Sequence, residues 1–381
     1  MKIGVISSTI LGPLPVRRYA GLEIVAWHCA RGLAELGHEV YLFSPDGSTC
    51  PGVTIVPFGP AGYITEQQAF GGFPDMKDHA GTVVRSAHRG YWQQLLGLDC
   101  IISHDWNKHA YQLKAEGRLK APILGVCHAP VNTMFSSLPP VEKPCMVTIS
   151  QDQANHFEAL FSRQAKVCRN GIELPFYRSM NVPRTKRYLF LARFSTIKGP
   201  DLAIEACRAA GVGLDLVGDT SITNEPELYQ RCREMSDDYR STTTQAQDVP
   251  VGSDTKIRIV GPCSRGETVW WYSQAHCMLH LNQRFREPLG LAPLESQSCG
   301  CPVIAWRYGA MTETVKHGET GFLVDSMAGA IGAIRQFEAM DAAAKQHMRN
   351  AAVEWAQQFS IDRMCKRYED LCKEAVETGG W

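Results

Sequence analysis

The chain carries no excess of either charge. Lys+Arg and Asp+Glu both total 39 among its 381 residues, a formal net charge of +0. Residues 1–175 hold 15 basic and 14 acidic residues, leaving 24 and 25 for the remainder. Neither half has the basic surplus that draws a protein to nucleic acid or an anionic membrane, and no nucleic-acid partner is expected. A C-x-x-C pair is also missing: of the 14 cysteines, the closest are Cys299 and Cys301. That spacing argues against a structural zinc, and no metal is expected. No apolar run reaches the ~18 residues needed to cross a bilayer. Met1-Lys2-Ile3-Gly4-Val5-Ile6 is too short for a secretory signal. Tandem repeats and low-complexity tracts are absent as well.

What is present is material for a large core, with 44% hydrophobic and 20% charged residues. At roughly 150 residues per domain the length suits two domains. Such cores need no disulfide scaffold, so the thiols read as reduced and the setting as cytoplasmic.

Short apolar runs alternate with helical patterns. Lys2 to Ser8 reads as a buried parallel strand. A loop with Gly12, Pro13, Pro15 and Gly21 follows. From Glu23 a helix places Ile24, Trp27, Leu33 and Leu36 inward, and Gly37 caps it. His38 to Ser44 completes a right-handed crossover unit of a doubly wound sheet. Cys100 to Ser103, Pro122 to Cys127 and Met146 to Ile149 continue that set. The pattern restarts at Arg187 to Phe194 and runs through Leu214 to Val217, Lys256 to Val260, Met278 to Leu281 and Pro302 to Trp306. Two α/β domains facing a cleft are expected, with a boundary near Pro175 to Pro183 and a last helix from Ser360 to Val376. Ser236 to Asp254, polar and aperiodic, predicts a mobile surface loop. Val83 to Leu96 has an amphipathic look; it meets a lipid surface or packs as a half-solvated core helix, so membrane association stays open.

Two stretches carry the chemistry. In Arg286-Glu287-Pro288-Leu289-Gly290-Leu291-Ala292-Pro293-Leu294-Glu295, Gly290 admits a ligand close to the backbone and the amides of a new helix favour an anion. Glu287 and Glu295 then flank that anion site and can accept hydrogen bonds from sugar and ribose hydroxyls; the plain alternative is a helix cap and a surface acid. In Ala192-Arg193-Phe194-Ser195-Thr196-Ile197-Lys198-Gly199, a strand ends in two cations at the edge where open α/β sheets bind ligands. Arg193 and Lys198 can compensate a departing diphosphate, or stand as solvated strand-end cations.

With these motifs in order, the chain resembles a family 4 glycosyltransferase of GT-B fold over nearly its whole length. Glu287 and Glu295 match that family's E-x7-E motif, and Arg193 with Lys198 its diphosphate-binding pair. Asn170-Gly171-Ile172, Val217-Gly218-Asp219, Gly309 to Glu313 and Gly318 to Val324 also match. The chain departs from the family's pattern at Ala20-Gly21 and Gly309-Ala310, where Gly-Gly is usual, and at Leu289, where phenylalanine is common.

The resemblance implies two Rossmann-like domains, 1–178 on the acceptor side and 179–358 on the nucleotide-sugar side, with residues 359–381 crossing back to the first. It implies that Glu295 holds the donor ribose and Glu287 the transferred sugar. Arg193, Lys198 and the amides of Leu289, Gly290 and Leu291 would bind the diphosphate, and Gly12 would let the first loop approach the donor. His128, in Cys127-His128-Ala129-Pro130, matches the family's active-site histidine, though read alone such a histidine is more often structural. Asp105, in His104-Asp105-Trp106, is a candidate for acceptor contact or a structural acid. The implied activity is retaining transfer of a hexose, from UDP-glucose, to an unidentified hydroxyl acceptor, with no cofactor. A nucleotide-sugar epimerase of the same fold and a non-catalytic nucleotide-sugar binder are the alternatives.

Overall fold

The structure is a computed structural model that describes all residues except 8–12, 17–20, 58–91, 106–108, 132–139, 221–224 and 240–254. The chain divides into two compact units, Met1–Gly171 with Ile361–Trp381, and Ile172–Ser360.

The first unit is built on a seven-stranded parallel sheet of order β3-β2-β1-β4-β5-β6-β7. Its strands are β1 (Lys2–Ile6), β2 (Glu39–Ser44), β3 (Thr54–Pro57), β4 (Cys100–Ser103), β5 (Ile123–Cys127), β6 (Met146–Thr148) and β7 (Lys166–Val167). β1, β4 and β5 are buried almost throughout, as strands covered on both faces must be. Helices α1 (Gly21–Glu35), α2 (His109–Ala115) and α3 (Gln151–Phe161) connect them. The order reverses between β1 and β4, which creates a switch point at the carboxyl ends of those strands.

α1 corrects the expected inward face. Its buried apolar residues are Val25, Ala26, Cys29, Ala30 and Leu33, so Leu33 lies inward as expected, whereas Ile24 and Trp27 are half-buried and Leu36 is exposed. The reason is the chain's last helix, Ile361–Thr378, which packs along α1. Gly32 permits the approach: a Cβ there would lie 2.3 Å from Cys365 Sγ. Small residues, rather than the large apolar ones, therefore mark the covered side.

The second unit repeats the plan with sheet order β10-β11-β9-β8-β12-β13-β14. Its strands are β8 (Tyr188–Leu191), β9 (Leu214–Val217), β10 (Asp238–Tyr239), β11 (Ile257–Gly261), β12 (Met278–His280), β13 (Val303–Trp306) and β14 (Gly321–Val324). Its helices are α4 (Pro200–Ala210), α5 (Pro226–Glu234), α6 (Arg265–Gln274), α7 (Leu291–Ser298), α8 (Met311–Thr314), α9 (Met327–Ala339) and α10 (Ala342–Ala356), and the last helix is α11. Tyr188, Phe190, Phe194, Leu216, Ile259, Leu279, Ile304 and Phe337 lie in one apolar cluster. At its edge the buried Arg187 guanidinium grips Asp215 through Nε–Oδ2 (2.9 Å) and Nη2–Oδ1 (2.7 Å). Here the order reverses between β8 and β12.

Four short strands escaped the sequence reading: β3, β7, β10 and β14. β10 corrects the expected loop, since Asp238 and Tyr239 pair with Arg258 and Ile259 of β11; residues 240–254 lie outside the described residues, as do 83–91 and Gly12. Among the described residues no helix is long and apolar enough to cross a membrane.

Candidate donor-binding and catalytic site

The switch point of the second unit gathers its chemistry. β8 leads into Arg193 and Lys198, and β12 leads into Asn282 and Glu287. Because β8 and β12 are neighbours, both loops leave the sheet at one place. The first loop is tight: the Lys198 and Gly199 amides donate to Ser195 O, after which Pro200 opens α4. Glu225, the residue before α5, staples this turn by accepting from Ser195 Oγ and the Thr196 amide, each at 2.8 Å. Burial pushes the Glu225 carboxyl up, but the Thr196 and Ser195 hydrogen bonds and the Arg193 charge outweigh it and hold it below the ordinary range.

The second loop is stitched to the first. Arg284 meets Asp201 at the start of α4 (3.1 Å), where Arg231 also binds (2.6 Å). At the centre, Lys198 Nζ donates to Glu287 Oε2 at 2.7 Å. Asn282 Nδ2 donates to the same oxygen at 2.9 Å, and His280 Nε2 lies 3.7 Å from it. Glu287 is only 8% exposed, and desolvation opposes its charge; Lys198 and His280 overcome that and hold the carboxyl well below its usual range. Glu287 is therefore a fixed anion with one oxygen occupied by protein.

Gly309 supports it from beneath. Its φ is +63°, and a Cβ would lie 2.7 Å from Glu287 O and 2.8 Å from Glu287 N. Gly309→Ala is expected to destabilise the protein by about 1–3 kcal/mol and to displace Glu287, read as a lower melting midpoint and a raised donor KM.

Glu287 passes into Gly290, the N-cap of α7 with φ +83°, and Pro293 falls in the first turn where its missing N–H costs nothing. Leu289 is buried; Leu291 opens the helix. Glu295 sits one turn further on, where Tyr272 donates to Oε2 (3.2 Å) and Tyr177 also hydrogen-bonds the carboxylate. Burial pushes the Glu295 carboxyl above its ordinary range against the pull of Tyr177, Arg265 and Tyr272. Arg265 is itself clamped, with Nη2 2.9 Å from Glu173 and its guanidinium 4.4 Å above the Phe176 ring. The two acids of the E-x7-E motif thus occupy opposite electrostatic settings.

In the first unit, His128 follows β5 and His104-Asp105 follow β4. Gln153 of α3 pins the His128 loop on both sides, donating to Ala129 O at 2.8 Å and to Cys127 Sγ at 3.2 Å. His104 Nδ1 lies 2.7 Å from His128 Nε2. Asp105 is buried. The structure thus brings Lys198 and Glu287 into contact, sets Glu295 among its own tyrosines, and places His128 and Asp105 on adjacent strand ends of the first unit. Asn282, His280, Glu225, Tyr272, Tyr177, Gln153 and His104 are contacts the sequence did not single out.

Two solved structures share the fold. Sucrose-phosphate synthase from Thermosynechococcus elongatus aligns with TM-score 0.74 at 18% identity, covering 99% of each chain. Anabaena Alr3699/HepE in complex with UDP and glucose aligns with TM-score 0.67 at 18% identity, covering 98% of this chain and 100% of that one. The family described as Glycosyltransferase Family 4 matches residues 19–175, and that described as Glycosyl transferases group 1 matches residues 179–355. The chain is a family 4-type glycosyltransferase of GT-B fold. This glycosyltransferase is similar to the D-inositol 3-phosphate glycosyltransferase of Kribbella flavida, 25% identical with 94% of this chain and 91% of the relative covered. The relative of the same name from Acidothermus cellulolyticus is also 25% identical, over 93% and 86%. A glycosyltransferase of this type takes its sugar from a nucleotide-sugar donor.

Proposed function

We propose that this glycosyltransferase moves a hexose, glucose carried on UDP, to a hydroxyl acceptor with retention of configuration at the anomeric carbon. The observation that carries the reading is the meeting of Lys198 and Glu287 at the switch point of the second sheet, immediately before the Gly290 cap of α7. A diphosphate seated there faces Lys198, Arg193 and the amides of Leu289, Gly290 and Leu291, and its charge is compensated without a cofactor. Glu287 offers its second oxygen to the hydroxyls of the sugar, and Glu295 accepts from the ribose. The bond between anomeric carbon and phosphate oxygen breaks as the acceptor oxygen bonds to the same face. The acceptor's proton passes to the departing phosphate oxygen. His128 and Gly12 are assigned to the donor and Asp105 to the acceptor, as the family resemblance implies. Fourteen free cysteines suit a reducing compartment such as the cytoplasm.

Incubating the purified protein with UDP-glucose and a panel of hydroxyl acceptors tests the reading. D-inositol 3-phosphate belongs in the panel because the relatives from Kribbella flavida and Acidothermus cellulolyticus are named for it. The expected result is UDP release with an α-linked glucoside. Epimerised nucleotide sugar without acceptor consumption would establish the isomerase instead, and tight UDP-glucose binding with no turnover would establish a binding protein.

The Glu295 environment adds a pH prediction. Its carboxyl is raised in the free protein, and ribose hydroxyls bind the ionised form. Donor affinity should therefore rise with pH through the Glu295 pKa and level off above it, because binding favours loss of the proton. Glu295→Gln should weaken donor binding by roughly 1.5–3 kcal/mol at neutral pH and flatten this acidic limb. Measuring the donor KM across pH for both forms checks it.

A further inference from the structure

We propose that His104 is a positioning residue that holds His128 for the transfer step, through the hydrogen bond between the two imidazoles. This rests on the assignment of His128 to the reaction made above.

The topology brings the two rings together. β4 and β5 pair in parallel with Ser103 opposite Gly125, so His104 and His128 leave adjacent strands at the same carboxyl edge. That edge adjoins the switch point between β1 and β4. His104 is anchored at every level. Its amide donates to Ile6 O at 2.9 Å, its side chain is fully buried, and Tyr368 of α11 packs edge-on at 5.9 Å between centroids. His128 is half-buried, and its ring meets that of His104 edge to edge, 5.0 Å between centroids with 28° between planes. The loop around it is tied to α3 through Gln153, so its backbone is fixed independently of the ring. What remains to be set is the side-chain rotamer and the nitrogen that carries the proton. The 2.7 Å contact between His104 Nδ1 and His128 Nε2 holds the rotamer and links the two tautomers, because an N···N bond needs one N–H and one lone pair facing each other. Two facing N–H groups would repel.

The variants separate positioning from mere packing. Asparagine places a polar atom close to where histidine has Nδ1, while glutamine reaches the Nε2 position. In UDP release from UDP-glucose with its acceptor, His104→Phe should lower kcat by about 10²-fold with little change in donor KM. His104→Asn should recover most of that loss and His104→Gln little of it. On a His128→Ala background, His104→Phe should add almost nothing, since the two residues act as a unit. The wild-type protein labelled with 15N-histidine should show one ring proton coupled to nitrogens of both residues. Wild-type kcat in His104→Phe beside a crippled His128→Ala, or losses that multiply in the double variant, would overturn the proposal. So would a folded wild-type protein lacking the shared proton signal. A fully active His128→Ala would instead remove His128 from the reaction, and the role of His104 with it.

Discussion

Lys198→Ala is expected to lower kcat by about 10²–10³-fold, the effect of removing one donor aimed at developing charge in a reacting site. The geometry makes the loss larger than that of a surface cation. Lys198 Nζ is the partner of Glu287 Oε2 at 2.7 Å, with both side chains mostly buried. On the proposed reading its removal deprives the diphosphate of compensation, and it leaves Glu287 a buried anion with Asn282 at hydrogen-bond distance and His280 3.7 Å away. The carboxyl, now held well below its usual range, should move up and take a proton more readily. The pH dependence of stability follows with a definite sign. A depressed carboxylate stabilises the fold above its unfolded pKa, about 4.3, and loses that contribution as pH falls through the folded value. The stability gap between wild type and Lys198→Ala should therefore be full at neutral pH and shrink on acidification. Lys198→Ala with Glu287→Ala should regain stability but not turnover. Melting curves across pH, set beside kcat, check all three statements. An active Lys198→Ala would detach the cation from the chemistry.

Asp215→Ala should produce the largest loss of stability, about 3–5 kcal/mol, because a buried ion pair stripped of one partner leaves a charge that protein cannot solvate. Arg187 and Asp215 are 1% and 2% exposed, and the guanidinium also donates to the carbonyls of Leu214 and Lys256. Those carbonyls orient the fork without neutralising it. A domain's total stability is only about 5–15 kcal/mol, so the second unit should unfold well below the wild-type midpoint. Arg187→Met combined with Asp215→Leu should recover most of the loss, since an apolar pair of similar volume removes both desolvation costs. Urea denaturation of the full chain measures this, and a wild-type midpoint in Asp215→Ala would show that the pair carries no such weight.

The sequence made the sheets legible because parallel strands buried on both faces leave uninterrupted apolar runs. Cys100–Ser103 and Leu214–Val217 could be bounded to the residue. β7 and β10 have two residues each and leave no such run. The covered face of α1 was hidden because Ala26, Ala30 and Gly32 matter there through their smallness, which only the approach of α11 reveals. In the site, Glu287, Glu295, Arg193 and Lys198 stood out by type and spacing. Their pairing did not, since Lys198 and Glu287 are 89 positions apart and meet only because β8 and β12 are neighbours. The same holds for the meeting of His104 and His128: His128 stood out by resemblance, but its contact with His104 is visible only when β4 and β5 are laid side by side. Asn282 carries no local signal; it counts because its amide reaches Glu287.

The most direct test of the donor site is a crystal structure with UDP bound. Diphosphate oxygens should lie within hydrogen-bond distance of Lys198 Nζ, the Arg193 guanidinium and the amides at Gly290 and Leu291, with the ribose on Glu295. UDP bound at the first sheet, or with its phosphates turned away from Lys198 and Arg193, would contradict it.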